Sequence, residues 1–213
     1  MVRRSDHTKL EIRTMVIAAG QKIIKEFGFD ELSTRKIANE IGYSVGTLYH
    51  FFDNYDDIIL HINAVTIDDL RQFIINNMDA QSEDFVQIKQ LANLYIDFSK
   101  FDYNRWSAVF EYKLLNNVEL PNWYKTKINS LFEFIQKPLL NIIKNDFLAQ
   151  KHSKILWAGV HGICSLDISK KLYLCDTESP KSLTDLLITN YLSGLGVSFK
   201  VIHSSLLPRK TMN

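Results

Sequence analysis

The groups of this chain best suited to meeting a charged polymer gather in the run Ser44-Val45-Gly46-Thr47-Leu48-Tyr49-His50. Two aliphatic hydroxyls, a phenol and an imidazole offer donors and acceptors there, and Val45 adds a branched apolar tip. Such groups suit phosphate oxygens, base edges and a thymine methyl. Covalent and metal chemistry find no comparable grouping. The six histidines, at positions 7, 50, 61, 152, 161 and 203, show no paired ligand spacing, and Cys164 and Cys175 are not a zinc-type pair. Asp56-Asp57, Asp68-Asp69 and Glu83-Asp84 are sequence neighbours, which point apart on a helix. Neither a phosphate-binding glycine loop nor a nucleophile elbow occurs. The expectation is a protein that is not an enzyme and needs no metal or cofactor.

The elements that position the polar run are helices. Four prolines and eight glycines punctuate 213 residues, and apolar side chains recur at three-to-four spacing with no alternating run. The fold class is all-α. A first helix is expected over Asp6 to Phe27, with Ile12, Val16, Ala19, Ile23 and Phe27 as its apolar stripe and Gly28 as a left-handed stop. Ser33 caps a short helix from Thr34 to Ile41 that ends at Gly42, and Ser44 caps another through about Phe52. Asn54 caps a longer helix reaching roughly to Met78.

Two short capped helices joined by a tight glycine turn form a helix-turn-helix, the unit that sets its second helix in the major groove. Ile37, Ala38, Ile41, Leu48 and Phe52 supply the inner faces, leaving Ser44, Val45, Thr47, Tyr49 and His50 outward. Capped helices with glycine turns also occur in proteins that bind no DNA, so spacing alone leaves both readings open.

The order of residues favours one of them. Phe27-Gly28-Phe29, then Ser33-x-Arg35-x-Ile37-Ala38, then Gly42-x-Ser44-x-Gly46-Thr47-Leu48-Tyr49-His50-x-Phe52 closely resembles the N-terminal motif of the TetR family of bacterial regulators, over roughly the first quarter of the chain. The resemblance implies a homodimer that binds double-stranded palindromic operator DNA and lets go when a small-molecule effector binds, with repression the more common outcome. It also implies that Ser33 and Arg35 reach the DNA backbone. Two departures stand out, because many family members carry a basic residue at Val45 and a lysine at Tyr55. Losing two cations flattens the salt dependence of binding. Tyr55 retains a hydroxyl as a phosphate donor, and Lys36, on the third position of its helix, is a further cation for phosphate.

A division into a DNA-binding domain over 1–58 and a ligand-binding and dimerisation bundle over 59–213 follows from these elements. Helices are expected near Asp84 to Phe101, Tyr103 to Leu115, Asn122 to Phe147, His152 to Leu174 and Lys181 to His203. Pro138 should kink the third. Eleven aromatic residues fall between Tyr95 and Phe134, denser than packing a thin bundle requires. A largely apolar cavity lined by Phe98, Trp106, Phe110, Trp123 and Phe134 is the expectation, taking an apolar or aromatic molecule. Arg105 and Lys113 lie among these rings and could pair an anionic head group; facing water is the alternative. Ala158, Gly162, Ser165 and Ser169 make a stripe of small residues, with Gly194 and Val197 offering a second, so these two helices are expected to form a dimer interface. Trp157, His161 and Gly162 resemble the C-terminal domain of a TetR subfamily in which a histidine here can line the cavity; a satisfied core histidine is the alternative.

Bulk composition is that of a globular protein, with 46% hydrophobic and 23% charged residues and a net charge of +1. No apolar run spans a bilayer, so a cytoplasmic location without membrane partners is expected. On one helix Cys164 and Cys175 would stand about 16 Å apart, too far for a disulfide. Two other functions stay open: a ligand-binding protein with weakened DNA affinity, and a DNA-binding regulator that needs no ligand.

Overall fold

A computed structural model describes residues 7–112, 119–172 and 179–196, and among these residues the secondary structure is helical throughout. Helix α1 (Lys9–Phe27) opens on a reciprocal capping box in which Thr8 accepts from the Glu11 amide and the Glu11 carboxylate accepts from the Thr8 amide. The expected start at Asp6 lies outside the described residues. Gly28 ends the helix at φ 87° and ψ 169°, a glycine conformation as expected but extended rather than left-handed helical. Phe27, expected in the apolar stripe, is 65% exposed, because the core beside α1 closes on Ile23, Ile24, Leu32 and Ile37 instead.

A single 3-10 turn (Phe29–Glu31) leads into α2 (Thr34–Ile41), capped by the Ser33 hydroxyl and stopped by Gly42 at φ 73° and ψ 30°. Helix α3 (Val45–Leu48) is capped by Ser44 and is shorter than the expected run to Phe52. Beyond Leu48 the chain tightens, and the amides of Phe51 and Phe52 both donate to the Leu48 carbonyl. That tight turn buries Phe52 beside Leu48.

Asn54 caps α4 (Tyr55–Asn77), followed by α5 (Asp84–Phe101), α6 (Tyr103–Glu111), α7 (Asn122–Ile143), α8 (Asp146–Ile168) and α9 (Pro180–Gly194). The structure departs from the expected helices through Phe147 and from His152 to Leu174. Lys144 adopts the left-handed conformation and Asn145 accepts from the Leu148 amide, so the break falls between α7 and α8 at these two residues. Helix α8 stops at Ile168, which removes the single-helix premise for the two cysteines; Cys164 is buried, and Cys175 lies outside the described residues. Helix α7 continues on both sides of a buried Pro138.

Two main cores share one helix. Ile58, Ile59 and Ile62 of α4 pack with α1, α2 and α3, whereas Leu70 and Ile74 pack with α5, α7, α8 and α9. Helices α1 and α4 approach closely because Gly20 has no side chain: a Cβ there would stand 2.2 Å from Ile62 Cδ1. The same logic joins α8 to α9, where a Cβ on Gly159 would lie 2.7 Å from Leu187 Cδ2.

Candidate nucleic-acid interface and ligand cavity

Capping geometry and partial burial shape the outward surface of the helix-turn-helix. Ser44 and Thr47 share a hydroxyl contact of 2.9 Å, and Ser44 also accepts the Thr47 amide, so one side chain orders the first turn of α3. Tyr49, His50, Arg35 and Lys36 are exposed, while Ser33 is half-buried as the cap of α2. Val45 is half-buried and packs on the N-terminal core. Lys36 pairs with Glu31, and that ammonium draws the Glu31 carboxyl below its usual range. The Tyr55 hydroxyl, expected on phosphate, donates to the Leu32 carbonyl at 3.1 Å.

A tether unread in the sequence fixes this surface to the body. Arg13 of α1 donates to the Phe51 carbonyl and to His61 Nε2, and its guanidinium lies 4.4 Å from the centre of the Phe52 ring. His7 meets the Tyr43 hydroxyl at 2.8 Å in the turn between α2 and α3. Sequence separations of 36 to 48 residues give no local signal for such pairs.

Within the bundle lies a cavity of about 340 Å³, within the range of small-molecule sites. Its walls come from α4 through Leu60, Ile67, Leu70 and Ile74, and from α5 to α9 through residues that include Tyr95, Phe110, Tyr124, Trp157 and Ile188. Of the expected ring set, Phe110 lines it. Trp106 and His161 form a second layer, with rings stacked at 5.1 Å, and His161 Nδ1 bonds the Tyr95 hydroxyl at 2.8 Å. Phe98 packs on Phe73 in the core, Phe134 lies beneath the Arg71 guanidinium, and Trp123 stacks on His61 away from the cavity.

Arg105 does not supply an anion site there. It donates to Asp102, Asp69 and Gln21, while Lys113 lies outside the described residues. Among the described residues the lining carries no charge. The α4 contribution was absent from the sequence-based set, although its signal exists: Ile58-Ile59-Leu60, then Ile62, Ala64 and Ile67, make that helix apolar on more than one face, as a helix packed on two sides must be.

Residues 16–62 match the model for bacterial regulatory proteins of the tetR family. Over that segment the chain is similar to the tetR family. No curated protein matches it by sequence. Its fold is shared with solved structures of low identity. A Rhodococcus sp. RHA1 protein of unknown function aligns at TM-score 0.69 and 15% identity, over 91% of this chain and 98% of its own. The transcriptional regulator FadR from Bacillus subtilis, solved with stearoyl-CoA, aligns at 0.62 and 15%, over 85% and 98%. BioQ, solved with its double-stranded DNA operator, aligns at 0.63 and 17%, over 85% and 97%.

The small-residue stripe of α8 faces outward. Ala158 and Ser169 are exposed, Gly162 and Ser165 are half-buried, and a Cβ on Gly162 would meet nothing within 4 Å. Ile155 and Leu166 lie exposed on the same α8 face, and Leu186 and Gly194 are exposed on α9. Val197 lies outside the described residues. No helix among the described residues is long and apolar enough to cross a membrane. No group of three or more His, Cys, Asp or Glu side chains is placed among them to hold a metal.

Proposed function

We propose that this regulator binds a palindromic operator as a homodimer and releases it, relieving repression, when a small apolar molecule occupies the cavity. The observation that carries the reading is the double placement of α4. Ile58, Ile59 and Ile62 support α2 and α3 from below, while Leu60, Ile67, Leu70 and Ile74 wall the cavity. A ligand that shifts α4 therefore changes the spacing of the two recognition helices in a dimer. A hundredfold loss of DNA affinity needs about 2.7 kcal/mol of differential binding.

In this reading residues 1–58 read DNA and residues 59–213 bind ligand and dimerise. Ser33, Arg35, Lys36 and the Ser44 to His50 surface contact DNA, with Arg35 and Lys36 on phosphate and Val45 on a base edge. Apposed α8 and α9 helices, meeting through Ala158, Gly162, Ser165, Ser169 and Gly194, set half-sites about 34–36 Å apart. That FadR and BioQ share the fold, one solved with an acyl-CoA and one with operator DNA, supports both halves of the reading. The protein acts in the cytoplasm and catalyses nothing.

Selection from random double-stranded DNA, followed by titration of thermal-shift hits with and without the selected operator, tests the proposal. A palindrome should be enriched, and each effective hit should bind more weakly to the operator complex by the factor it imposes on DNA. No enriched sequence would overturn DNA reading; equal ligand affinity in both states would overturn ligand control.

A further inference from the structure

We infer that the molecule this cavity accepts is uncharged and largely apolar, and carries a hydroxyl or N–H group that donates to Asn63 Oδ1. The inference rests on the reading of the cavity as the effector site and narrows the effector's chemistry. Asn63 lines the cavity and is 1% exposed. Its Nδ2 donates to the Ala108 carbonyl of α6 at 2.8 Å, and because a carbonyl can only accept, this contact fixes which end of the amide is oxygen. The oxygen is buried without a hydrogen-bond partner among the described residues. Such an orphan acceptor has lost its water and gained nothing in return, so a ligand donor that reaches it recovers a full hydrogen bond.

Two other polar groups of the lining are engaged: the Tyr95 hydroxyl bonds His161, and the Tyr112 hydroxyl donates to Asp56. Charge has no place in the walls. A carboxylate or ammonium entering among Leu60, Ile67, Leu70, Ile88 and Leu131 would lose its hydration and meet no counter-charge among the described residues. Asn63 also lies where a ligand can act on the fold. Its neighbour Ile62 offers the carbonyl that Gln21 of α1 donates to, and Ile62 itself fills the space left by Gly20. A donor captured at Asn63 thus pulls on the α4 and α6 pair one residue from the contact that holds α1.

The test is titration calorimetry on the intact protein without DNA, using two matched probe sets. One set is 2-naphthol, 2-methoxynaphthalene and 2-naphthoate; the other is 1-decanol, methyl nonyl ether and decanoate. The alcohol of at least one set should bind, about tenfold more tightly than its ether and more tightly still than its carboxylate. In Asn63→Leu the alcohol should fall to the ether's affinity. An ether or carboxylate that equals the alcohol, an unchanged alcohol preference in Asn63→Leu, or no binding by any probe would overturn the inference. The wild-type comparison decides the matter even where the variant does not fold. Because no operator is present, a failure here leaves DNA reading standing, and a failure of DNA reading leaves this result standing.

Discussion

His61 of α4 stacks on the indole of Trp123 at the start of α7, with ring centres 4.5 Å apart and planes 14° from parallel. The same imidazole accepts from Arg13 at Nε2, which requires that nitrogen to be unprotonated, and Arg13 in turn holds the Phe51 carbonyl behind the recognition helix. One neutral ring therefore joins α1, α4 and α7 and, through Arg13, reaches the turn that follows α3.

Burial lowers the His61 pKa below 6.5, the Arg13 charge acts in the same direction, and Asp57 at 3.4 Å opposes them. A histidine with a depressed folded-state pKa lets the unfolded chain bind more protons, so its contribution is intact above about pH 6.5 and is lost as pH falls through the folded value. Thermal midpoints at pH 7.5 and 5.5 should fall farther in the wild type than in His61→Gln, which keeps an acceptor for Arg13 without titrating. Equal falls would remove His61 from the pH response.

Gly159 and Gly162 should respond oppositely to added bulk. Gly159→Val should cost about 1–3 kcal/mol of protomer stability by forcing Leu187 away from α8. Gly162→Leu meets open space within the protomer and should leave its fold intact while weakening the dimer. Urea melts of both variants and sedimentation of Gly162→Leu check this; a fully dimeric Gly162→Leu protein would move the interface off this face.

Arg105→Met should destabilise the protein by about 3 kcal/mol, because the buried Asp102 carboxylate would lose its main counter-charge. Adding Asp102→Asn should recover much of that loss. Denaturation of the two single variants and the double variant gives the coupling directly, and additive losses would contradict the pairing.

For DNA, Arg35→Ala should lower the logarithmic salt slope of operator binding by about 0.9 if it meets one phosphate. Tyr55→Phe should leave the slope unchanged and cost stability, since its hydroxyl proton goes to Leu32. Val45→Ala should change base preference. It should also cost some stability, because Val45 packs on the core. Binding isotherms across salt concentrations separate the three.

The helix starts and the turn of the helix-turn-helix were legible in the sequence because they are decided locally, whereas the end of α3 at Leu48, short of the expected Phe52, was not. Ser33 and Ser44 cap the helices they precede, and Gly42 takes the left-handed turn, all through contacts within four residues. The same locality failed where two local signals competed. Apolar periodicity runs on through Phe147, yet Lys144 and Asn145 end α7 and cap α8 there.

What the sequence determined by itself is the all-α class, the capped motif and the concentration of rings in the body, since periodicity, capping and composition act over one or two turns. Only the tertiary structure decided which rings face empty space. Phe110 borders the cavity while Trp106, Phe98 and Trp123 do not, because each ring's direction depends on a partner far along the chain: His161 for Trp106, Phe73 for Phe98 and His61 for Trp123. Asn63 is the sharpest case. In the sequence it is one polar residue on an apolar helix, and its meaning comes from the Ala108 carbonyl 45 residues away, which takes the amide nitrogen and leaves the oxygen without a partner.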